Sequence, residues 1–183
     1  LTSWVNELIW REFYQHILVG FPRVNRHRPF QRHTEALQWR DDDEGFAAWC
    51  EGRTGYPIVD AGMRQLWRTG YMHNRVRMIT ASFLVKNLLQ DWRVGARWFW
   101  KSLLDADLAN NSASWQWVAG CGVDAAPYFR IFNPMTQVDK FDKDRVYIRK
   151  WIPEFGTDAY PEKMVDHKMA RERCLDTYKA ALN

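Results

Sequence analysis

The chain has 183 residues, enough for one domain with a sizeable core, and a formal net charge of +4, a mild basic excess that permits a nucleic-acid partner without demanding one. Cys50, Cys121 and Cys174 are scattered and no CxxC occurs, which argues against a disulfide framework and for a reducing compartment. No metal-ligand cluster, signal peptide or membrane-length apolar run is present, so we expect a cytoplasmic protein with no metal and no membrane partner.

The pattern is helical almost throughout. The chain starts at Leu1 rather than Met and opens into helical pattern, as expected of a fragment or processed piece. Ser3 is placed to cap a helix over 4–18, stopped by Gly20 and Pro22. A basic loop continues through Pro29. The acidic run 41–44 leads into a short helix over 44–51, at its favourable N-terminal end. Thr54-Gly55-Tyr56-Pro57 reads as a turn, and 58–68 as a helix ended by Gly70. Residues 73–89 carry the clearest helical period, through Val76, Ile79 and Phe83. Another helix is expected over 94–104. After Asp105 the pattern turns short and polar, then helical over 115–119, closed by Gly120. Residues 123–153 read as loops and short helices, and 162–182 as an amphipathic helix. Alternating β-branched runs are absent, so the expectation is one all-α domain.

Eleven Trp in this length is several times ordinary usage, and a heavily aromatic core accounts for most of them. Two basic stretches stand out, one from Arg23 to His33 and one from Arg130 to Lys150; a solvated face is the default reading of each. Glu7 and Trp10, three apart, share a helix face, where a carboxylate beside an indole can hydrogen-bond a ligand while the ring stacks on it. A surface Glu beside a half-buried Trp is the plainer reading. Asn74, Met78 and Ser82 fall on one face, an amide beside an adaptable thioether. Arg75 and Arg77 point elsewhere, one free for phosphate and one for a carboxylate such as Asp105. Trp115 and Trp117 lie about 200° apart around a helix, so they are expected to face different partners. Indoles, Asn110-Asn111 and Asp105 with Asp107 together suit a planar, polar ring system.

Taken together, several strings in order are specific: residues 6–13 (NELIWREF), 54–61 (TGYPIVDA), 72–78 (MHNRVRM), 105–108 (DADL), 115–117 (WQW) and 124–134 (DAAPYFRIFNP). Through them the chain resembles the C-terminal, FAD-binding helical part of the photolyase/cryptochrome family, most strongly class I cyclobutane pyrimidine dimer photolyases. The resemblance covers nearly the whole chain, so residues 1–183 are expected to be a portion of that domain. The N-terminal α/β antenna domain would lie outside it, and this fragment would bind no antenna chromophore.

The resemblance implies a monomeric, light-driven DNA repair enzyme holding reduced, non-covalent FAD and acting on DNA that contains pyrimidine dimers. The dimer would leave the duplex, accept an electron and split. Glu7 matches the carboxylate that hydrogen-bonds the dimer, in the family a buried group acting as donor. Trp10 and Trp117 match the two flanking indoles, and Asn74 and Met78 the pocket floor. Asn111 matches the amide facing the flavin; Trp4, Glu7, Asn74, Arg77, Asp105 and Asp107 match further groups around the cofactor. Trp39, Trp92 and Trp115 match an electron-transfer chain. Trp10, Arg11, Asn74, Arg75, Arg130, Gln137 and Lys140 match DNA contacts. Side-chain choices at Asn74, Met78, Asn111 and Trp117 favour dimer repair over (6-4) repair and over the alternative, a cryptochrome-like photoreceptor without repair. The linker 155–158 is shorter than in many relatives.

Overall fold

The computed structural model describes residues 2–182, with side chains for 4–181; Leu1 and the side chain of Ser3 lie outside the described residues. Its helices are α1 (Thr2–Gly20), α2 (Pro22–Asn25), α3 (Asp43–Glu51), α4 (Pro57–Thr69), α5 (Asn74–Ser82), α6 (Trp92–Ser102), α7 (Leu108–Ala119), α8 (Pro134–Phe141), α9 (Val146–Trp151) and α10 (His167–Leu182). A 3-10 turn covers Arg32–Ala36 and a π-helical turn Phe83–Asn87. No strand forms among the described residues; Arg40 and Gln90 make a single parallel bridge. The fold is all-α, as the absence of alternating runs requires.

Apolar faces of α3, α4, α5, α6 and α7 meet in one core that holds Trp49, Met63, Leu66, Ile79, Phe99 and Trp115. Glycines end several of these helices by entering the left-handed region at little cost, as Gly70 does after α4 at φ +66°. Asp60, fully buried in α4, accepts hydrogen bonds from Thr54 N (2.8 Å), Thr54 Oγ1 (2.6 Å), Gly55 N (3.0 Å) and Tyr160 Oη (2.5 Å). This carboxylate ties the 54–57 turn to the distant segment around Tyr160.

Four expectations need correction. First, α1 starts at Thr2, so Ser3 lies within the helix rather than before it. Second, residues 73–89 are not one α-helix. The α-helical bonding of α5 gives way to the π turn, which places Lys86 and Asn87 in the interior, and after Leu88 the chain passes through Leu89 at φ +56°. Lys86 Nζ sits 3.7 Å from the Tyr178 ring centroid and 3.5 Å from Tyr128 O, and burial pulls its pKa down to about 8. Third, α7 begins at Leu108, so the stretch read as short and polar is its first two turns. Asp107 caps it, accepting from Asn110 N at 2.8 Å. Fourth, residues 162–166 lie before α10 rather than in it.

Candidate functional site

Three helices turn one face each toward a common cleft of about 620 Å³. From α1 come Trp4, Glu7, Trp10, Arg11 and Tyr14. Asn74, Arg77, Met78 and Ala81 come from α5. The start and middle of α7 supply Asn110, Asn111, Ser114, Trp115, Trp117 and Val118, with Asp105 and Asp107 just before it. Spacings of three and four recur in each set, as a helix lining a cavity demands.

The polar groups are held in place. Arg77 donates through Nη2 to both oxygens of Asp105 (3.0 and 2.8 Å) and through Nε to Met72 O (2.6 Å). That bidentate pair fixes a planar cation at the cleft edge and neutralises it. Asn111 Nδ2 donates to Ala96 O at 3.0 Å, which orients the amide and leaves its oxygen for the cleft. Asp107 spends one oxygen on the N-cap, accepting from both Asn110 N and Asn110 Nδ2 at 2.8 Å.

Trp115 and Trp117 differ sharply in setting. Trp115 is 2 % exposed, with Phe99 edge-on at 5.0 Å and Trp49 edge-on at 6.2 Å. Its ring tip rests on Gly95 of α6, where any side chain would collide with it. Trp117 is half-buried, with the Arg130 guanidinium 5.9 Å from its ring centroid. Both border the cleft, yet their neighbours differ, as their angular separation on α7 implies.

Trp39, Trp92, Arg75, Arg130, Gln137 and Lys140 do not line the cleft. Trp92 is buried at the start of α6, one turn before the Gly95 on which Trp115 rests. Trp39 is half-buried, edge-on to Tyr178 at 6.3 Å. Among the described residues no ring contact joins any two of Trp39, Trp92 and Trp115; the neighbours in contact with Trp115 are Trp49 and Phe99. Arg75 Cζ and Lys140 Nζ lie 4.9 and 5.4 Å from the Phe141 ring centroid, an exposed basic and aromatic rim. Gln137, half-buried on the same helix, has a shielded Oε1 with no hydrogen-bond partner.

Glu7 is exposed in this structure, so its carboxyl is not the buried group the family pattern suggests; the α1 face around it is uncovered. Sequence reasoning missed Tyr14, Ser114 and Asp124, which also line the cleft. Tyr14 was findable, standing four residues after Trp10 and seven after Glu7 on the same face. Burial, with Asp124 and Glu7 nearby, pushes its phenol pKa up. Among the described residues no cluster of His, Cys, Asp and Glu is arranged to hold a metal, and no helix is long and apolar enough to cross a membrane.

The donor set fits a flat, polar ring system such as an isoalloxazine. It offers an anchored amide, a fixed guanidinium–carboxylate pair and indole walls. A family model described as the FAD binding domain of DNA photolyase matches residues 4–157. The deoxyribodipyrimidine photo-lyase of Escherichia coli (strain K12) is 52% identical over 98% of this chain and 42% of its own length. A bacterial class III photolyase from Agrobacterium tumefaciens superposes with a TM-score of 0.94 at 48% identity, covering 98% of this chain and 42% of that one. The cryptochrome of Synechocystis sp. PCC6803 does so with a TM-score of 0.87 at 34% identity, covering 96% and 41%. The chain thus spans less than half the length of these relatives.

Proposed function

The chain belongs to the FAD-binding family of DNA photolyases, and on that premise we propose that it is the cofactor- and lesion-binding part of an enzyme that uses light to split cyclobutane pyrimidine dimers in DNA. The observation that carries the reading is the convergence of Glu7, Trp10, Asn74, Met78, Asn111 and Trp117 on one cleft. Bound reduced FAD supplies the light-absorbing electron donor. Around it the chain's residues bind, orient and tune.

Asn111, held by Ala96 O, presents its amide to the flavin ring, and Arg77 with Asp105 supplies a rigid polar edge. Asp107 keeps one carboxylate oxygen for the ribose side while capping α7. Trp4 lines the cofactor side of the cleft. Trp10 and Trp117 wall the flipped dimer, giving each pyrimidine ring a face to stack on. Asn74 and Met78 form its floor, and Glu7 hydrogen-bonds its carbonyl edge. In this reading Trp115, at the cleft, with the buried Trp92 and the half-buried Trp39, forms the route by which the flavin is reduced.

Arg11, Arg75, Arg130, Gln137 and Lys140 hold the DNA around the cleft mouth, and their phosphate contacts make binding salt-dependent. Residues 1–183 form one unit of the larger domain, with the antenna elsewhere. The groups assigned to the dimer pocket line one cleft, which suits a monomer, and three free thiols suit the cytoplasm.

A photoreceptor like the Synechocystis relative would need the flavin and the tryptophan route but no dimer clamp. The retained set of Glu7, Trp10, Asn74, Met78 and Trp117 favours repair. Replacing Glu7→Ala tests the pocket. Flavin content should stay unchanged while repair per absorbed photon falls about ten- to hundredfold, the worth of a hydrogen bond to a charged group. Unchanged repair would remove Glu7 from the site.

A further inference from the structure

Two indoles two residues apart on α7 line the same cleft, yet their electrostatic settings are opposite. Arg130 Cζ lies 5.9 Å from the Trp117 ring centroid and 5.8 Å from that of Phe132. Tight turns fix its backbone, with Arg130 N donating to Pro127 O at 2.8 Å and Ile131 N to Phe129 O at 3.1 Å. Among the described residues no carboxylate forms an ion pair with Arg130, so its charge is uncompensated by protein. Trp115 has Phe99 and Trp49 edge-on and Gly95 at its tip, and among the described residues no cation stacks on it. Arg77, at the cleft edge, is paired with Asp105.

We propose that Arg130 protects Trp117 from one-electron oxidation, so that of the two cleft indoles only Trp115 serves as an electron donor. A neutral indole attracts a cation over its face, whereas an indole that has lost an electron is itself a cation and is repelled. Both effects act in one direction: they stabilise reduced Trp117 and penalise its oxidised form. Arg130 is exposed, so water screens the charge and the expected effect is about three- to tenfold in oxidation yield. The purpose of the bias rests on the repair reading: before DNA brings a phosphate to Arg130, it keeps the wall that will meet the lesion reduced. The charge geometry does not rest on it.

The test therefore uses neither flavin nor DNA. The chain is illuminated in air with ruthenium(II) tris-bipyridyl and pentaamminechlorocobalt(III). The excited ruthenium complex gives one electron to cobalt, which decomposes irreversibly as cobalt(II), and the resulting ruthenium(III) takes one electron from an indole. The indole loses its N–H proton to water and the neutral radical adds dioxygen. Oxygenated product at each Trp is read by peptide fragmentation, with Trp67, 74 % exposed and with no cation stacked on it among the described residues, as the internal reference. The Trp117-to-Trp67 ratio should rise about three- to tenfold in Arg130→Gln, rise less than half as much in Arg130→Lys, and rise in the parent chain as salt screens the charge. An unchanged ratio in Arg130→Gln would overturn the proposal. So would equal rises in the Gln and Lys variants, which would mean that the guanidinium shields the ring by bulk rather than charge.

Discussion

Gly95 is the point at which core packing and the cleft meet, and Gly95→Ala should destabilise the protein although it improves the helix. The residue lies in α6 with helical backbone, so alanine brings no φ strain and removes the entropic penalty of a helical glycine, a gain of about 1 kcal/mol. Against that gain, a Cβ would come 2.2 Å from Trp115 Cη2, 2.5 Å from Trp115 Cζ3 and 2.6 Å from Leu84 Cδ2. The indole is rigid and held edge-on by Phe99 and Trp49, so it cannot fold away as a flexible side chain would. Overpacking of this kind costs about 1–3 kcal/mol, and with three contacts this short the upper end applies. The net loss is about 2 kcal/mol, a fall in melting temperature of roughly 4–8 °C for a chain of this size. Circular dichroism melts of both proteins measure it, and near-UV dichroism should change as Trp115 moves. A melting point that rises by a few degrees, as helix propensity alone requires, would refute the claim that Trp115 is tightly seated on Gly95.

Burial of Lys86 should oppose folding at neutral pH. Its folded pKa is about 8 against an ordinary 10.5, so the charged form is penalised when folded. That cost, about 3 kcal/mol, is complete below pH 8 and fades as pH rises to 10.5. Lys86→Met forfeits the contact with the Tyr178 ring but should still be more stable by about 1–2 kcal/mol at pH 7, with the gap closing toward pH 10. Urea midpoints at the two pH values check this, and a gap that widens with pH contradicts it. Asp107→Ala removes the α7 cap and should cost about 1 kcal/mol, seen as a melting point lower by roughly 2–4 °C, while Asp107→Asn should keep most of it.

Much of this architecture was legible because helix chemistry is local. Asp42 accepts from Gly45 N, Pro57 opens α4 and Gly70 closes it, all at the positions their residue types announce. The start of α7 was hidden because Asn110, Asn111, Ser112 and Ser114 have weak helix propensity, and Asp107, as an N-cap, is the one local sign that a helix begins there. The π turn was invisible for a different reason. The 3.6 period of 73–89 persists across it, and the partners that Lys86 and Asn87 meet there lie far along the chain in α10: the Tyr178 ring, and His167 Nδ1 at 2.7 Å from Asn87 Nδ2.

At the candidate site, spacing alone placed Glu7 with Trp10 and Asn74 with Met78. It also separated Trp115, packed in the core, from Trp117, beside Arg130, although both border the cleft. The pairing of Arg77 with Asp105 spans 28 residues and was legible only as chemical complementarity, a planar cation seeking a carboxylate. The exposed state of Glu7 agrees with the plainer reading of its spacing, a surface Glu beside an indole.

The most direct test of the central claim is to load the chain with FAD, reduce it, and shine blue light on an oligonucleotide carrying one thymine dimer, scoring restored thymines. The account predicts restoration that requires both light and reduced flavin. Flavin bound and reduced, with the dimer left intact under light, would contradict it.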